Sequence, residues 1–312
     1  MTFKHTPVML EQTQEYLNLK PGDICVDCTL GGSSHAAAII QKILPKGKFI
    51  GIDQDIDAVK NAKKVLAHFP LDVLIFHDNF SALPSILESL KITGVNGIFL
   101  DLGLSLHQLK KSKRGFSFQK NEPLDMRMNT NSSITALDII NNYSENELAN
   151  IFFKYGEESM SRKIARNIIR ARKKNFIKTT KNFVDIVQKT IPIKIAVKQK
   201  IHPATRVFQA LRIAVNKELY HLRKFMKNVP DFLNKGGRLC VISFHSLEDR
   251  IVKQSIKSFE QGCTCPSDFP KCVCKFQPKL KSIFKKPLIP LKKEIQLNPM
   301  ARSAKFRVAQ RI

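Results

Sequence analysis

The chain has 312 residues, more than one hydrophobic core usually organises, which predicts two domains or one domain with a large insertion. Hydrophobic residues make up 43% and charged residues 25%, so wholesale disorder is excluded. No apolar run approaches the roughly 18 residues of a membrane span, and the first residues, MTFKHTPVMLEQ, lack the apolar stretch of a signal peptide. We therefore expect a soluble protein of the cytoplasm.

The net charge of +26 is distributed unevenly along the chain. Residues 1–107 carry 9 basic and 11 acidic side chains, residues 108–200 carry 20 and 8, and residues 201–312 carry 23 and 7. A general drift toward lysine would have made the first third basic as well. The asymmetry therefore predicts a nucleic-acid-binding protein that meets its polyanionic partner with the downstream part of the chain.

Four short apolar runs alternate with amphipathic stretches between residues 23 and 101. The runs are ICVDCTL, KFIGIDQD, VLIFH and GIFLDLG. Between them, apolar residues recur at helical spacing over 34–44, 55–66 and 81–90, and the last two stretches begin at an acidic or a serine cap. This alternation is typical of a parallel sheet covered by helices, so the fold class is predicted to be α/β.

After Asp101 the strand pattern stops for about a hundred residues, and helical stretches replace it. These stretches are ENELANIFFKYG, SRKIARNIIRARKK and TTKNFVDIVQKTI. Strand patterns return in GGRLCVISFH and in the C-terminal KFRVAQRI, whereas the Pro- and Lys-rich stretch 263–291 is predicted to be irregular and exposed. We expect a discontinuous α/β domain of residues 1–107 and 208–312, with a helical domain of residues 108–207 inserted in it.

Ligands of open α/β sheets bind at the carboxyl ends of the strands, and polar residues follow all four predicted strands. The first strand ends at Asp27 and leads into the loop TLGGSSH, whose small residues let the backbone approach a ligand closely. Asp53 ends the second strand about 20 residues later, the spacing of a carboxylate that accepts hydrogen bonds from a ribose. Asp78 and Phe80 follow the third strand and are candidates for contact with an adenine.

Asp101 ends the fourth strand and completes a site for an adenosine-containing ligand. Both NAD and S-adenosylmethionine need a ribose carboxylate and a cleft for adenine. A pyrophosphate favours the G-x-G-x-x-G loop, which this chain lacks, because Ser33, Ser34 and His35 stand in its place. The site therefore favours a methyl donor over NAD.

Seven cysteines without a secretory signal argue against a disulfide framework. Cys25 and Cys28 lie in a strand-like run, where an offset of three residues points them to opposite faces. A second group, in a C-x-C-x6-C-x-C pattern, has enough thiolates for a structural zinc but not the usual C-x2-C spacing. Its members are Cys263, Cys265, Cys272 and Cys274. We predict no metal site and leave zinc open for that group.

The chain resembles the bacterial 16S ribosomal RNA (cytosine-N(4))-methyltransferases of the RsmH (MraW) family. The resemblance runs nearly end to end, through KHTPVML, DCTLGGSSHA, IDQD, FSAL, DLGLSLHQL, RGFSF, PLDMRM, YGEE, HPATRVFQALRIAVN, ISFHSLEDRIVK and NPMARSAKFRVA. It implies a Rossmann-like, class I methyltransferase domain with S-adenosylmethionine as cofactor. The implied reaction is methylation of the exocyclic amine of a cytidine in the decoding region (P site) of 16S rRNA, in support of decoding fidelity, with the small ribosomal subunit as partner.

Matching positions in the family imply which residues contact the methyl donor. They are Ser33, Ser34, His35, Asp53, Phe80, Asp101 and Gln108. Two stretches depart from the family pattern. The chain reads GGSSH where the family commonly has G-R-G-G-H, and SLHQL where it has S-S-P-Q-L. Donor contacts in the first stretch are then expected to run through backbone amides.

The chemistry requires an in-line amine and a group that accepts a hydrogen bond from it, and we predict Asp101 for that catalytic role. Arg162, Arg166 and Arg170 repeat every fourth residue, followed by Lys173, and predict a phosphate-tracking stripe on one helix face. Three further residues are predicted to contact the substrate, two where the inserted domain leaves the sheet and one at the end of the next strand. An unstacked base is expected to enter the site beside them. The three residues are Arg114, Arg127 and His245.

Two other function classes stay open beside the methyltransferase. One is an NAD-dependent oxidoreductase, which binds the same adenosine moiety. The other is a non-catalytic RNA-binding protein that retains a nucleotide-binding fold. A pure scaffold has no physical need for polar residues at the ends of four strands, which favours an enzyme.

Overall fold

The computed structural model describes residues 7–198, 201–261 and 276–312. The chain divides into two compact units. The sheet unit comprises Met1–Gly103 and Leu219–Ile312, and the helical unit comprises Leu104–Glu218. The expected boundary at 207/208 falls inside a helix, Ala204–Asn216, that belongs wholly to the helical unit. The four cysteines of the C-x-C-x6-C-x-C pattern lie outside the described residues.

Seven strands form one sheet in the sheet unit. In chain order they are β1 (Ile24–Asp27), β2 (Lys48–Asp53), β3 (Asp72–His77), β4 (Val95–Asp101), β5 (Leu233–Ser243), β6 (Leu280–Ser282) and β7 (Lys305–Arg311). Their spatial order is β3-β2-β1-β4-β5-β7-β6; strands β1 to β5 pair in parallel, and β7 is antiparallel to β5 and β6. The order reverses between β1 and β4, and the prediction of a Rossmann-like α/β fold is confirmed.

Seven helices belong to the described part of the sheet unit. They are α1 (Leu10–Leu17), α2 (Ser34–Ile43), α3 (Ile56–Leu66), α4 (Leu83–Ser89), α12 (Glu218–Asn228), α13 (Ser246–Glu260) and α14 (Lys292–Leu297), with α12 beginning one residue before the unit boundary. The predicted acidic cap is confirmed, because the Asp55 side chain accepts a hydrogen bond from the Asp57 N–H. The predicted serine cap is wrong: Asn79 caps a short 3₁₀ helix, Phe80–Ala82, that precedes α4.

Apolar strand residues explain why the sheet is the core of this unit. Side chains of Cys25, Phe49, Phe99 and Phe306 belong to one cluster and are fully buried. Burying one phenylalanine stabilises a fold by about 1.5–3 kcal/mol. The ends of β1, β2 and β4 are therefore anchored in a packed layer.

The described part of the helical unit also contains seven helices. They are α5 (Leu106–Lys110), α6 (Ala136–Asn142), α7 (Glu145–Gly156), α8 (Ser161–Lys174), α9 (Thr180–Thr190), α10 (Ile193–Lys198) and α11 (Ala204–Asn216). Capping boxes begin α7 at Ser144 and α9 at Thr179. The buried face of α8 carries Ile164 and Ile168, which join one apolar cluster with residues of α7 and α9. The unit thus has a core of its own.

One stretch differs from its prediction. The described part of the stretch 263–291, which the sequence predicts to be irregular and exposed, contains β6, and Leu280 in that strand is fully buried. Pairing of β6 with β7 gives this stretch its structure. Within the described ranges, no helix has both the length and the apolar character needed to cross a membrane.

Candidate functional site

The loop after β1 is tied to the neighbouring strand ends by backbone groups. The Thr29 N–H donates to Asp27 Oδ1 at 3.0 Å, and the Asp101 N–H donates to Thr29 Oγ1 at 2.6 Å. The Cys28 N–H donates to the Phe99 carbonyl at 2.9 Å. These bonds hold the carboxylates that end β1 and β4 at the same edge of the sheet, at the point where strand order reverses.

Asp53, at the end of β2, is hydrogen-bonded to the loop that follows β1. Its Oδ2 accepts from the Gly31 N–H at 2.9 Å, and its Oδ1 accepts from the Asp55 N–H at 2.8 Å. Burial raises the pKa of Asp53 to about 6, while the two N–H donors oppose that rise. A carboxylate oxygen has two acceptor sites, so each can still accept a hydroxyl hydrogen bond.

Asp27 is fully buried and Asp101 is half-buried, and each has one buried carboxyl oxygen with incomplete hydrogen bonding. Among the described residues, no hydrogen bond reaches Asp27 Oδ2 or Asp101 Oδ1. Burial raises the pKa of Asp27 well above its usual range, and the negative charges of Asp101 and Asp53 raise it further. Burial, followed by the charge of Glu248, raises the pKa of Asp101 to about 7. Three carboxyl groups therefore crowd one strand-end site.

Asp27 is the site residue that the predicted list of donor contacts omits. Its position at the end of the first strand was visible in the sequence, but its full burial and unpaired oxygen were not. A carboxylate at a predicted strand end, just before a glycine loop, is the signal that would have found it.

The serine-containing loop has an unusual backbone at Ser33. This residue is buried and has a φ of 66°, in the left-handed region that glycine adopts without strain. The Ser33 N–H donates to the Leu30 carbonyl at 2.6 Å, and Ser34 begins α2. The Ser33 and Gly31 N–H groups are thus both used within the protein, and donor contacts through backbone amides of this loop stay a prediction.

His35 is buried against the sheet. Its Nε2 donates to the Val8 carbonyl at 3.0 Å, and its ring packs on Phe99 with 4.7 Å between centroids. Its Nδ1 lies 3.8 Å from Asp101 Oδ2. The histidine thus lies beside the Asp101 side chain, and it would form an ion pair with that carboxylate only in its protonated form.

Phe80 and Asp78 follow β3, as predicted, but differ in surroundings. Phe80 is half-buried and meets Phe225 of α12 edge to face, with 5.6 Å between centroids. The next residue, Ser81, forms a 2.9 Å hydrogen bond with His221 Nδ1. Asp78 is exposed and accepts from the Asn79 N–H at 2.7 Å. Phe80 is thus held in place by α12.

His245 has a local structural role at the start of α13. The Glu248 N–H donates to His245 Nδ1 at 3.3 Å, and His245 Nε2 lies 3.0 Å from Glu248 Oε1. The side chain is therefore the helix cap. A role in facing the base, as predicted, would require both contacts to be given up.

Gln108 lies in the helical unit, in α5, and is buried. The Ser105 N–H donates to its Oε1 at 3.0 Å, and its own N–H donates to Ser105 Oγ at 3.2 Å. This capping box takes the place of the proline turn that the family pattern has there.

Arg114 and Arg127 are engaged within the helical unit. Arg114 is buried, and its Nη1 donates to the carbonyls of Arg127 and Met128 at 2.9 and 3.0 Å. Arg127 holds both oxygens of the Asp125 carboxylate at 2.8 Å, which lowers the pKa of Asp125. Both guanidinium groups thus fix the backbone of residues 114–132, and we leave them out of the substrate surface.

The arginine stripe of α8 is exposed, as its spacing predicts. Arg162, Arg166 and Arg170 face solvent, while Ile164 and Ile168 are buried on the opposite side. Arg166 is paired with Glu145 of α7 at 3.4 Å, so the stripe has one acidic neighbour that its own helix did not reveal.

The full chain is similar to known proteins in sequence. The chain is 58% identical over 312 residues to "Ribosomal RNA small subunit methyltransferase H" of Desulforapulum autotrophicum and 50% identical to the protein of that name from Clostridium botulinum strain Loch Maree, covering 100% of both proteins and of this chain. A solved rRNA methylase from Streptococcus thermophilus has 9% identity and a TM-score of 0.44, covering 99% of both chains. The model of the MraW methylase family matches residues 2–312. The chain therefore belongs to the MraW methylase family, with S-adenosylmethionine as its cofactor.

Proposed function

We propose that the protein methylates the exocyclic N4 amine of a cytidine in the decoding region (P site) of 16S rRNA, within the small ribosomal subunit. The names of the full-length relatives support ribosomal RNA of the small subunit as the substrate. The cytidine and its amine come from the resemblance in sequence. A ribosomal substrate would place this work in the cytoplasm, and its effect would be on decoding fidelity.

The crowding of three carboxyl groups at one edge of the sheet is the observation that carries the donor assignment. Burial is the main cause of the raised pKa values of Asp27, Asp53 and Asp101, and the charges of Asp101 and Asp53 add to the rise at Asp27. A cation bound beside these carboxyl groups would favour their ionised forms and offset part of the cost of burying them. S-adenosylmethionine carries a sulfonium and an ammonium, whereas NAD carries an anionic pyrophosphate that this site would repel.

Different residues at the strand ends would bind different parts of the donor. Asp53 has acceptor sites left for ribose hydroxyls, and its bond to the Gly31 N–H places it beside the loop that contains Ser33 and Ser34. Phe80 offers a half-buried ring for the adenine, with α12 behind it. His35 lies beside Asp101, and its contact with the donor, like that of Gln108, stays a prediction of the resemblance.

When bound, the donor supplies an electrophilic methyl group. The cytosine amine is a weak nucleophile because its lone pair is delocalised into the ring. The Asp101 side chain, which is partly exposed at the end of β4, would accept an N–H of that amine and so favour its pyramidal form. With a pKa of about 7, Asp101 can also take up the proton released after methyl transfer at neutral pH.

The substrate surface belongs to the helical unit and its neighbouring basic segments. The arginine stripe of α8 gives phosphate groups a row of exposed guanidinium groups. The competing interpretation is a solvated helix face. A solvated face would pair its arginines with acidic side chains. Among the described residues only Arg166 of the stripe has such a partner, and Arg162 and Arg170 have none.

Methyl transfer to isolated small subunits tests the reaction. Subunits from a strain that lacks the enzyme would be incubated with tritiated S-adenosylmethionine, and the nucleosides then separated. We expect label in N4-methylcytidine; label in another nucleoside, or none, would overturn the assignment. A non-catalytic RNA-binding protein would bind the subunits without label.

Calorimetry tests the donor site separately. We expect S-adenosylmethionine to bind and NAD not to bind. Asp53→Ala should weaken donor binding at least tenfold, because two ribose hydrogen bonds are lost. An unchanged affinity would show that Asp53 does not hold the ribose. Asp72→Ala, at the opposite end of the neighbouring strand, is the matched control.

A further inference from the structure

We propose that a lysine cleft in the helical unit binds the sugar-phosphate backbone of the RNA substrate, as a second contact beside the arginine stripe. The proposal rests on the proposed function. The lysine cleft is an open depression of about 570 Å³, within the range of ligand sites. Its lining residues are Lys110, Lys111, Lys113, Lys120, Asn121, Glu122 and Pro123.

The cleft is built by a tight loop between α5 and the segment before Leu124. Gly115 has a φ of 72°, and a Cβ there would collide with the carbonyl oxygen of Pro123. The Gly115 N–H donates to Glu122 Oε2 at 3.0 Å. The two walls are therefore brought together by a glycine and one buried carboxylate.

A second set of bonds fixes the far wall to the start of α9. The Glu122 N–H donates to Thr180 Oγ1 at 3.0 Å, and the Thr180 N–H donates to the Glu122 carbonyl at 2.9 Å. Lys120 Nζ donates to the Lys110 carbonyl at 2.7 Å and so links the two walls at their rim. A cleft held in this way loses little conformational freedom when a ligand binds.

Positive charge is concentrated in the cleft. All four lysines are exposed. Glu122 is the one acid among the lining residues, and it is buried with its Oε2 turned to Gly115. Four lysines that line one concave space repel one another, and an anion bound there lowers that repulsion. The cleft is thus complementary to a polyanion.

The lining chemistry favours phosphate groups over bases. Reading an unstacked base requires an aromatic ring or a guanidinium plane to stack on, and the lining residues include neither. A lysine ammonium is a compact point charge that suits phosphate oxygens in many orientations. Contacts here would fix the position of the RNA without reading its sequence.

Binding of a decoding-region RNA fragment, measured against salt concentration, tests the cleft. Lys111→Gln with Lys113→Gln removes two ammonium groups and keeps an unbranched polar side chain, and glutamine is no worse than lysine at the φ of 58° found at residue 113. The salt slope is the slope of the logarithm of the binding constant against the logarithm of the salt concentration, and each lost phosphate contact lowers its magnitude by about 0.7–0.9. If the variant and the wild type bind equally at 1 M salt, loss of two contacts should weaken binding at 0.1 M salt roughly 25- to 60-fold.

The matched control is Lys63→Gln with Lys64→Gln. These lysines are exposed on α3 in the sheet unit, and the change in net charge is the same. Lys111→Arg with Lys113→Arg should restore binding if charge is what matters. A salt slope of the glutamine variant equal to that of the control would overturn the proposal. Wild-type protein that binds the fragment but does not methylate subunits would instead count against the proposed function.

Discussion

Replacing Asp101 by asparagine should stabilise the ligand-free protein, and by an amount that depends on pH. Burial raises the pKa of this carboxyl group from 3.8 to about 7. At pH 8 the folded protein must therefore hold a charge that costs about 4 kcal/mol, since each pKa unit corresponds to about 1.36 kcal/mol. At pH 5 the folded group is protonated, and the cost falls to roughly 2 kcal/mol.

The direction in which pH changes the folding stability follows from proton binding to Asp101. Between pH 4 and 7 the folded state of Asp101 holds its proton after the unfolded state has lost it, so ionisation removes stability as pH rises, and the loss is complete above pH 7. Asp101→Asn abolishes this term. The side chain is 26% exposed, so water screens part of the cost and the gain should stay below these values.

Urea unfolding without donor, at pH 5 and at pH 8, measures the effect. We expect the gain from Asp101→Asn to be about twice as large at pH 8 as at pH 5, together with loss of methyl transfer. Asp185→Asn, on an exposed site of α9, should show no such difference. Equal gains at both pH values, or a less stable variant, would refute the account of a strained buried carboxylate.

Four further outcomes are expected. Donor affinity, measured by calorimetry, should fall as pH drops from 8 to 5, because a cationic donor requires ionised Asp53 and Asp101, whose pKa values are about 6 and 7. Ser33→Gly should raise the unfolding free energy by about 0.5–1 kcal/mol by relieving the left-handed backbone, with donor affinity unchanged. Arg114→Gln should lower it by roughly 2–4 kcal/mol, because two carbonyls lose their donor. Joint replacement by glutamine of three arginines of α8 should weaken RNA binding and flatten its salt dependence, leaving donor affinity intact; they are Arg162, Arg166 and Arg170.

Elements with strong local signals were predictable from the sequence. The helical stretches written ENELANIFFKYG and SRKIARNIIRARKK coincide with α7 and α8, because amphipathic spacing and, for α7, the Ser144 cap mark them locally. Helix α1 had no such marks: it begins after Met9, which has a φ of 53° and makes no side-chain cap. Strand β6 has three residues and depends on its pairing with β7, which sequence spacing does not show.

The sequence allowed the strand-end positions of the candidate site residues to be predicted, but not the hydrogen-bond partners of their side chains. Parallel strands bring their carboxyl ends to one edge, so Asp53 and Asp101 could be placed together from strand order alone. The charge of Arg114 suggested RNA, but its carbonyl partners at Arg127 and Met128 become neighbours only in the folded chain. The sequence shows the charge of such a residue but not the partner that the fold gives it, and the predicted substrate role of Arg114 stays a prediction.

The interruption of the sheet by the helical unit has a consequence for synthesis on the ribosome. Strand β4 ends at Asp101, and its partner β5 begins at Leu233, about 130 residues later. At 5–20 residues per second, roughly 7–26 s pass before β5 is made. During that time β4 is an open edge that can pair with the wrong strand. Its apolar residues Val95, Ile98, Phe99 and Leu100 are fully buried in the finished protein. Rapid folding of the inserted helices, which are rich in local contacts, would shorten the distance that β5 must close.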